Sequence, residues 1–274
     1  MKHNRDWNKV SFFEIFTHGI IMGTINKLPG ISGGLYSLII GFYNHLISSI
    51  KSISYKNLKI LKTDGVKPFL RLINGNFLFF ISTGMIMSYF TTSKILDYFL
   101  IKNELYVWAV FFGLILGSLY ILIKRIKKTN INTAIFLFFG LIFGVFISVS
   151  DPLYENRNLL FIFFCGFISI CGITIPGLSG SFLLILLGNY KLLLVDSVNN
   201  FFNLISNFFY TSDQKLNVEN ELINILLVFF MGSVFGLVVL SKFLTYINDK
   251  FPNQLNHLII GFVIGTLSIV WPWN

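Results

Sequence analysis

The sequence predicts an all-α polytopic membrane protein built from two copies of one helical unit. Three observations carry that expectation. Of the 274 residues 54% are hydrophobic and 12% charged, where a soluble domain carries about 25% charged residues, so the charge is too sparse to cover a water-exposed surface. Apolar runs repeatedly approach the ~20 residues that a helix needs to cross a hydrocarbon core about 30 Å thick. Inside two of these runs stands the same short pattern: Pro29-Gly30-Ile31-Ser32-Gly33-Gly34 recurs as Pro176-Gly177-Leu178-Ser179-Gly180-Ser181, at an offset of 147.

Charged residues bound the elements. Ser11–Leu28 and Gly33–Ile50 flank the first Pro-Gly break, and Phe77–Ser93 and Leu105–Ile123 follow. Ile131–Val149 stands alone. Leu159–Ile175 and Ser181–Val195 flank the second break, followed by Leu222–Ser241 and Leu255–Trp271. The segment Phe201–Tyr210 is expected to lie as a short amphipathic stretch on the membrane surface. Met1–Lys9 is polar, and no small-residue cleavage pattern follows Ser11–Ile21, so no cleavable leader is expected.

The repeat extends well beyond the motif. The offset of 147 also carries Gly19 onto Gly166, Gly41 onto Gly188 and Tyr43 onto Tyr190. At 148, Gly84, Ser93, Lys94, Leu96 and Tyr98 fall on Gly232, Ser241, Lys242, Leu244 and Tyr246, and Gly113, Gly117 and Leu119 on Gly261, Gly265 and Leu267. One register held over Gly, Ser, Lys and Tyr is the mark of an internal duplication. Repeat 1 is thus residues 11–124, repeat 2 residues 157–274, and 131–149 is a linking helix, all within one integral membrane domain, 1–274. Each repeat holds a Pro-Gly-broken helix hairpin, expected to be re-entrant, plus two membrane helices. A single linking span inverts the second repeat relative to the first, an arrangement used for alternating access.

Charge orients the chain. With that parity, one side carries 15 basic and 4 acidic residues, concentrated in Lys51–Arg71 and Lys124–Lys128, and the other carries 4 basic and 8 acidic. Excess Lys and Arg mark the cytoplasmic face, so the N-terminus is expected inside and the C-terminus outside. The net charge of +9 needs no nucleic acid, because basic loops facing anionic lipid account for it.

The breaks are the chemical feature. Proline drives the preceding residue out of helix, glycine opens backbone angles closed to other residues, and serine is a good N-cap. Ser32 and Ser179 are therefore expected to start new helices whose first amides lack intrahelical partners and favour an anion. Glycines at 33, 34 and 180 would let a ligand approach the backbone. Single breaks of this kind also occur as packing kinks, but two register-matched copies favour a site between the halves of a transporter. The candidate substrate-binding set is Pro29, Gly30, Ser32, Gly33, Gly34, Pro176, Gly177, Ser179, Gly180 and Ser181, with Lys27 and Lys191 as cations that could neutralise a compact anion such as phosphate. Either lysine could instead reach an interface by snorkelling. His18 and His45 are candidate proton carriers, or packing histidines.

Enzyme signatures are missing from the sequence. It has no metal-ligand spacing, no paired carboxylates within spans and no Gly-Lys-Ser phosphate loop, so neither a metal nor a cofactor is expected. Cys165 and Cys171, six apart in an apolar segment, read as buried hydrophobes rather than a disulfide.

At its two motifs the chain resembles the PopT-type undecaprenyl-phosphate translocases, a bacterial membrane family formerly a domain of unknown function. Gly23 to Gly34 looks like that family's first signature, and Cys171 to Tyr190 matches its Pro-Gly-x-Ser-Gly-Ser…Leu-Gly-x-Tyr signature. The family has an Asp and an apolar residue before the first Pro where this chain has Asn26-Lys27; a lysine there would strengthen anion binding. The resemblance implies a multi-pass protein of the bacterial cell membrane whose partner is a polyprenyl-phosphate lipid. It would return undecaprenyl phosphate from the outer to the cytoplasmic leaflet. The alternative from the residues alone is a transporter or channel for a small soluble anion.

Overall fold

Helix geometry follows from a chain whose apolar letters run without interruption and whose polar ones are mostly helix-compatible. The computed structural model describes Trp7 and residues 10–53, 57, 59–60, 63–126, 129–149, 154–174, 178–209 and 216–273. Among these residues the regular structure is helical, with no strand. In chain order the helices are α1 (Phe12–Lys27), α2 (Gly33–Ile40), α3 (Tyr43–Lys51), α4 (Val66–Leu72), α5 (Gly75–Arg125), α6 (Ile131–Val149), α7 (Leu159–Ser169) and α8 (Cys171–Thr174). There follow α9 (Gly180–Leu186), a π-helical turn (Leu192–Asp196), α10 (Ser197–Ser206), α11 (Asn220–Lys250) and α12 (Pro252–Gly265). Among the described residues, Gly75–Lys124, Ile131–Val149 and Asn220–Leu240 are long and apolar enough to cross a membrane. Their outward faces carry exposed Phe, Ile and Val, for example Phe138, Phe146, Phe230 and Val238, as lipid contact requires.

Two spans expected as separate helices, Phe77–Ser93 and Leu105–Ile123, are parts of one helical run interrupted at Asn103 (φ −149°, ψ 61°). A straight helix of 51 residues would reach about 76 Å, more than twice the hydrocarbon core. The break at Asn103 turns it instead. Ser93, before the break, and Phe111, after it, both touch the segment 190–195, so the arms near the turn lie side by side. Charge had marked 94–104 as a loop, yet Lys94, Asp97 and Lys102 all lie in helix. Charges mark where lipid ends, and helices continue past that level. α11 likewise runs on to Lys250.

The chain forms two compact units, Met1–Ile25 with Gly33–Thr91, and Asn26–Ser32 with Thr92–Asn274. In the first, Trp7, Ile15, Phe42, Phe77 and Ile81 form a core. His18 Nδ1 stands 2.7 Å from the Tyr36 hydroxyl, and its Nε2 is 3.8 Å from Glu14. The His45 ring meets Phe77 edge-on. In the second unit α7 packs along α11 and α6 along α12. Asn158 caps α7, accepting from the amides of Leu160 and Phe161. α10 covers the first part of the expected stretch Phe201–Tyr210, whose last residue lies outside the described ones, and it has Val198 and Asn200 buried. Asn200 exchanges two hydrogen bonds with the Glu219 backbone. Neither Cys165 nor Cys171 is in a disulfide.

Glycines matched in the sequence are used alike at some positions and differently at others. In the first unit Gly19 and Gly84 face each other: a Cβ on Gly19 would strike the Ile81 carbonyl, and one on Gly84 the Phe16 carbonyl. In the second, a Cβ on Gly166 would strike Phe229 and one on Gly232 would strike Phe163. The same close crossing of two helices thus occurs once in each unit. Gly41 and Gly188 also match, each at positive φ and each ending a helix, α2 or α9, with the amides that follow folded back onto its last turn. The later glycines diverge. Gly261 and Gly265 pack against α6, interlocked with Gly140 and Gly144, whereas Gly113 and Gly117 meet open space. Replacing Gly232 by Leu should therefore destabilise the protein by about 1–3 kcal/mol or more, seen as a lower melting temperature in detergent. Gly113→Leu should leave that temperature within a degree or so, because its change falls inside the ~0.5 kcal/mol range of surface substitutions.

Candidate functional site

Within the second unit the first Pro-Gly break meets the segment 178–190. α1 ends at Lys27, and Gly30 follows with φ +94°, a left-handed angle that favours glycine. The Gly30 amide donates to Ser179 Oγ at 3.0 Å. That oxygen also accepts from the Phe182 amide at 3.1 Å, so Ser179 caps α9 as its sequence position implies, and joins the first break to the start of α9. Ser181 Oγ lies 3.2 Å from Ser179 Oγ and donates to the Leu28 carbonyl at 3.0 Å. The Tyr190 hydroxyl donates to the Lys27 carbonyl at 3.0 Å. Backbone groups at 27, 28 and 30 are thus each held by a side chain from 179–190. Ser179, Ser181 and Tyr190 are all buried, where an unmade bond would cost about 1–3 kcal/mol.

Lys27 is fully buried and does not snorkel. Its ammonium donates to the Leu194 carbonyl at 2.5 Å, within the π-helical turn. Ser93 Oγ lies 3.2 Å from the same carbonyl and 3.0 Å from that of Val195. Lys191, by contrast, is exposed; the structure does not bring its side chain into the buried set. Asn189, fully buried, exchanges two hydrogen bonds with the Asn156 backbone and so fixes the chain between α9 and the π turn.

The remaining sequence candidates fall as follows. Pro29 and Ser32 are buried beside Gly30 in the second unit. Gly33 and Gly34 belong to the first unit, where they open α2. Pro176 and Gly177 lie outside the described residues. Gly180 has a packing reason to be glycine: a Cβ there would strike the Ser169 carbonyl, and one on Gly172 would strike the Gly180 amide. Among the described residues no group of three or more His, Cys, Asp or Glu could hold a metal ion.

Sequence reasoning did not single out Ser93, Tyr190 or Asn189 for the site. Ser93 and Tyr190 carried a signal, since each is matched across the repeat, by Ser241 and Tyr43. The π-helical turn carried none: Leu192, Leu193, Leu194 and Val195 read as an ordinary apolar helix.

A helical protein whose described residues include several long apolar helices, consistent with a polytopic membrane protein, is the class defined by this fold. The chain belongs to the VCA0040-like, undecaprenyl phosphate translocase-like family, whose model matches residues 22–274. It is 31% identical over 265 residues to a polyprenyl-phosphate transporter of Vibrio cholerae serotype O1, covering 97% of this chain and 79% of that protein. It is 28% identical over 272 residues to a polyprenyl-phosphate transporter of Staphylococcus aureus, covering 93% and 84% respectively. No solved structure matches the chain significantly.

Proposed function

We propose that this protein carries polyprenyl phosphate, specifically undecaprenyl phosphate, from the outer to the cytoplasmic leaflet of the bacterial cell membrane by alternating access, with no covalent change to the lipid. The observation that carries this reading is the buried amino group of Lys27, three residues before Gly30, whose amide is held by Ser179. A lysine that is protonated when it meets an anion, among oriented backbone groups, suits a compact anionic head group, while a long tail can stay in lipid. Two relatives named as polyprenyl-phosphate transporters support the lipid as substrate. Two inverted repeats, each with a re-entrant hairpin, would be the moving parts; the like glycine crossings of the two units support a repeated unit.

The direct test is leaflet-resolved transport in proteoliposomes. Polyprenyl phosphate should cross, and uncharged polyprenol should neither cross nor compete. Equal binding of polyprenol would mean that tail contacts dominate and that the head-group site is wrong. Transport of soluble phosphate without the lipid would favour the small-anion reading instead.

Topology follows from the asymmetry of 15 basic and 4 acidic residues on one side against 4 and 8 on the other, which orients loops by the positive-inside rule. A cysteine introduced at Ser212 should be labelled from outside intact cells, and one at Lys127 should not; both positions lie outside the described residues. The opposite labelling would reject the orientation.

A further inference from the structure

The proposed transport cycle leaves one buried arrangement unexplained, that of Ser93 and the π-helical turn. A π turn lengthens the backbone hydrogen-bond ring from i+4 to i+5 and disturbs the regular pairing of carbonyls. In Leu192–Asp196 two of those carbonyls receive side chains from distant parts of the chain. Leu194 O accepts from Lys27 Nζ, and Ser93 Oγ lies within bonding distance of both Leu194 O and Val195 O. Lys27, Ser93 and Val195 are fully buried, and Leu194 is 4% exposed. An ammonium in such surroundings is strongly penalised unless oxygen dipoles replace its water. Of these oxygens that of Leu194 accepts from the lysine, and the Ser93 hydroxyl lies against it and the Val195 carbonyl; a carbonyl oxygen is an acceptor for the three donors of a protonated amine.

We propose that the Leu194 carbonyl, fixed together with that of Val195 by Ser93 as the positioning residue, is a cation cradle, occupied by the protonated Lys27 side chain and open to a small primary ammonium once that side chain is removed. The cradle keeps one positive charge beside the first break, because the backbone carbonyl of the same lysine is held by Tyr190. Ser93 acts through the carbonyls, fixing their direction. Only the transport readout rests on the proposed function; cation binding by the cradle does not.

The experiment removes the tethered cation and supplies a free one. Lys27→Ala should lower polyprenyl-phosphate transport about tenfold or more, the loss expected for a hydrogen bond to a charged group. Millimolar n-propylammonium should restore part of it, while n-propanol, of similar shape but uncharged, should not. Adding Ser93→Ala to Lys27→Ala should raise the amine concentration needed for half-maximal rescue severalfold. In detergent, n-propylammonium should raise the melting temperature of Lys27→Ala and leave wild type unmoved. Rescue by propanol alone, rescue indifferent to Ser93, or no thermal response to the amine would each overturn the cradle and leave lipid transport standing. A wild type that moves no lipid, with the amine-dependent thermal shift intact, would reject the transport reading and keep the cradle. If Lys27→Ala does not accumulate, the near-isosteric Lys27→Met serves. Ser93→Ala must then lower the melting temperature more in wild type than in Lys27→Met, and equal losses would overturn the proposal.

Discussion

A Gly30→Val protein is expected to lose transport and most of its thermal stability. Two independent effects act at this one residue. Its φ of +94° is an angle that costs a non-glycine residue about 1–2 kcal/mol. An ideal Cβ would also lie 2.8 Å from the carbonyl carbon and oxygen of Leu114 and 2.9 Å from the Ile115 amide nitrogen. Those are backbone atoms of α5 that cannot swing aside, so overpacking adds about 1–3 kcal/mol. The shift would also pull the Gly30 amide from Ser179. Gly117→Val is the matched control, because its surroundings are open; it should transport and melt nearly as wild type does. Normal transport by Gly30→Val would mean that the first break can be remodelled freely and is no part of a site.

Ser179→Ala is expected to have the second large effect. One oxygen accepts from two amides, those of Gly30 and Phe182. Losing the cap costs about 1 kcal/mol, and leaving the Gly30 amide unpaired in a buried place costs about 1–3 kcal/mol more. The expected total, on the order of 2–4 kcal/mol, should appear as a clear drop in melting temperature. If the hydroxyl also donates to a phosphate head group, affinity for polyprenyl phosphate should fall about 10- to 100-fold, with no change for uncharged polyprenol. A stability loss with unchanged relative affinity would confine Ser179 to joining the first break to α9.

The two glycines differ in what sequence alone could say about them. Gly30 sits in a doubled Pro-Gly-x-Ser-Gly pattern, and that pattern told that backbone freedom and helix capping matter there. The structure bears this out at Gly30 and Ser179, where positive φ and a capping bond are observed. Gly180 carries the same motif signal, yet its neighbours include the Ser169 carbonyl, a contact no spacing rule reveals. Lys27 and Lys191 were both candidates as letters: each is a cation within an apolar stretch, one two residues before Pro29 and the other next to Tyr190. One is fully buried against a carbonyl and the other is exposed. The sequence cannot separate them, because the separation depends on which residues from the other end of the chain arrive beside each.

Local chemistry and repetition were thus determined by the sequence itself. Uninterrupted apolar letters with little charge require helices in lipid, since every backbone group must be satisfied internally. A fixed register of Gly, Ser, Lys and Tyr leads to the expectation of two copies of one unit, and the crossings Gly19 with Gly84 and Gly166 with Gly232 are alike. Only the tertiary structure decided where the matched positions cease to be equivalent. α6 covers Gly261 and Gly265 and leaves Gly113 and Gly117 open, Asn103 turns a helix that charge had divided differently, and Ser93 and Lys27 converge on a π turn spelled by four apolar residues. The physical reason is range. Propensity, capping and periodicity act over a few residues, whereas the hydrogen bonds of the site join positions 101 to 167 apart in the chain. Bonds at that distance exist only once packing has brought their partners together.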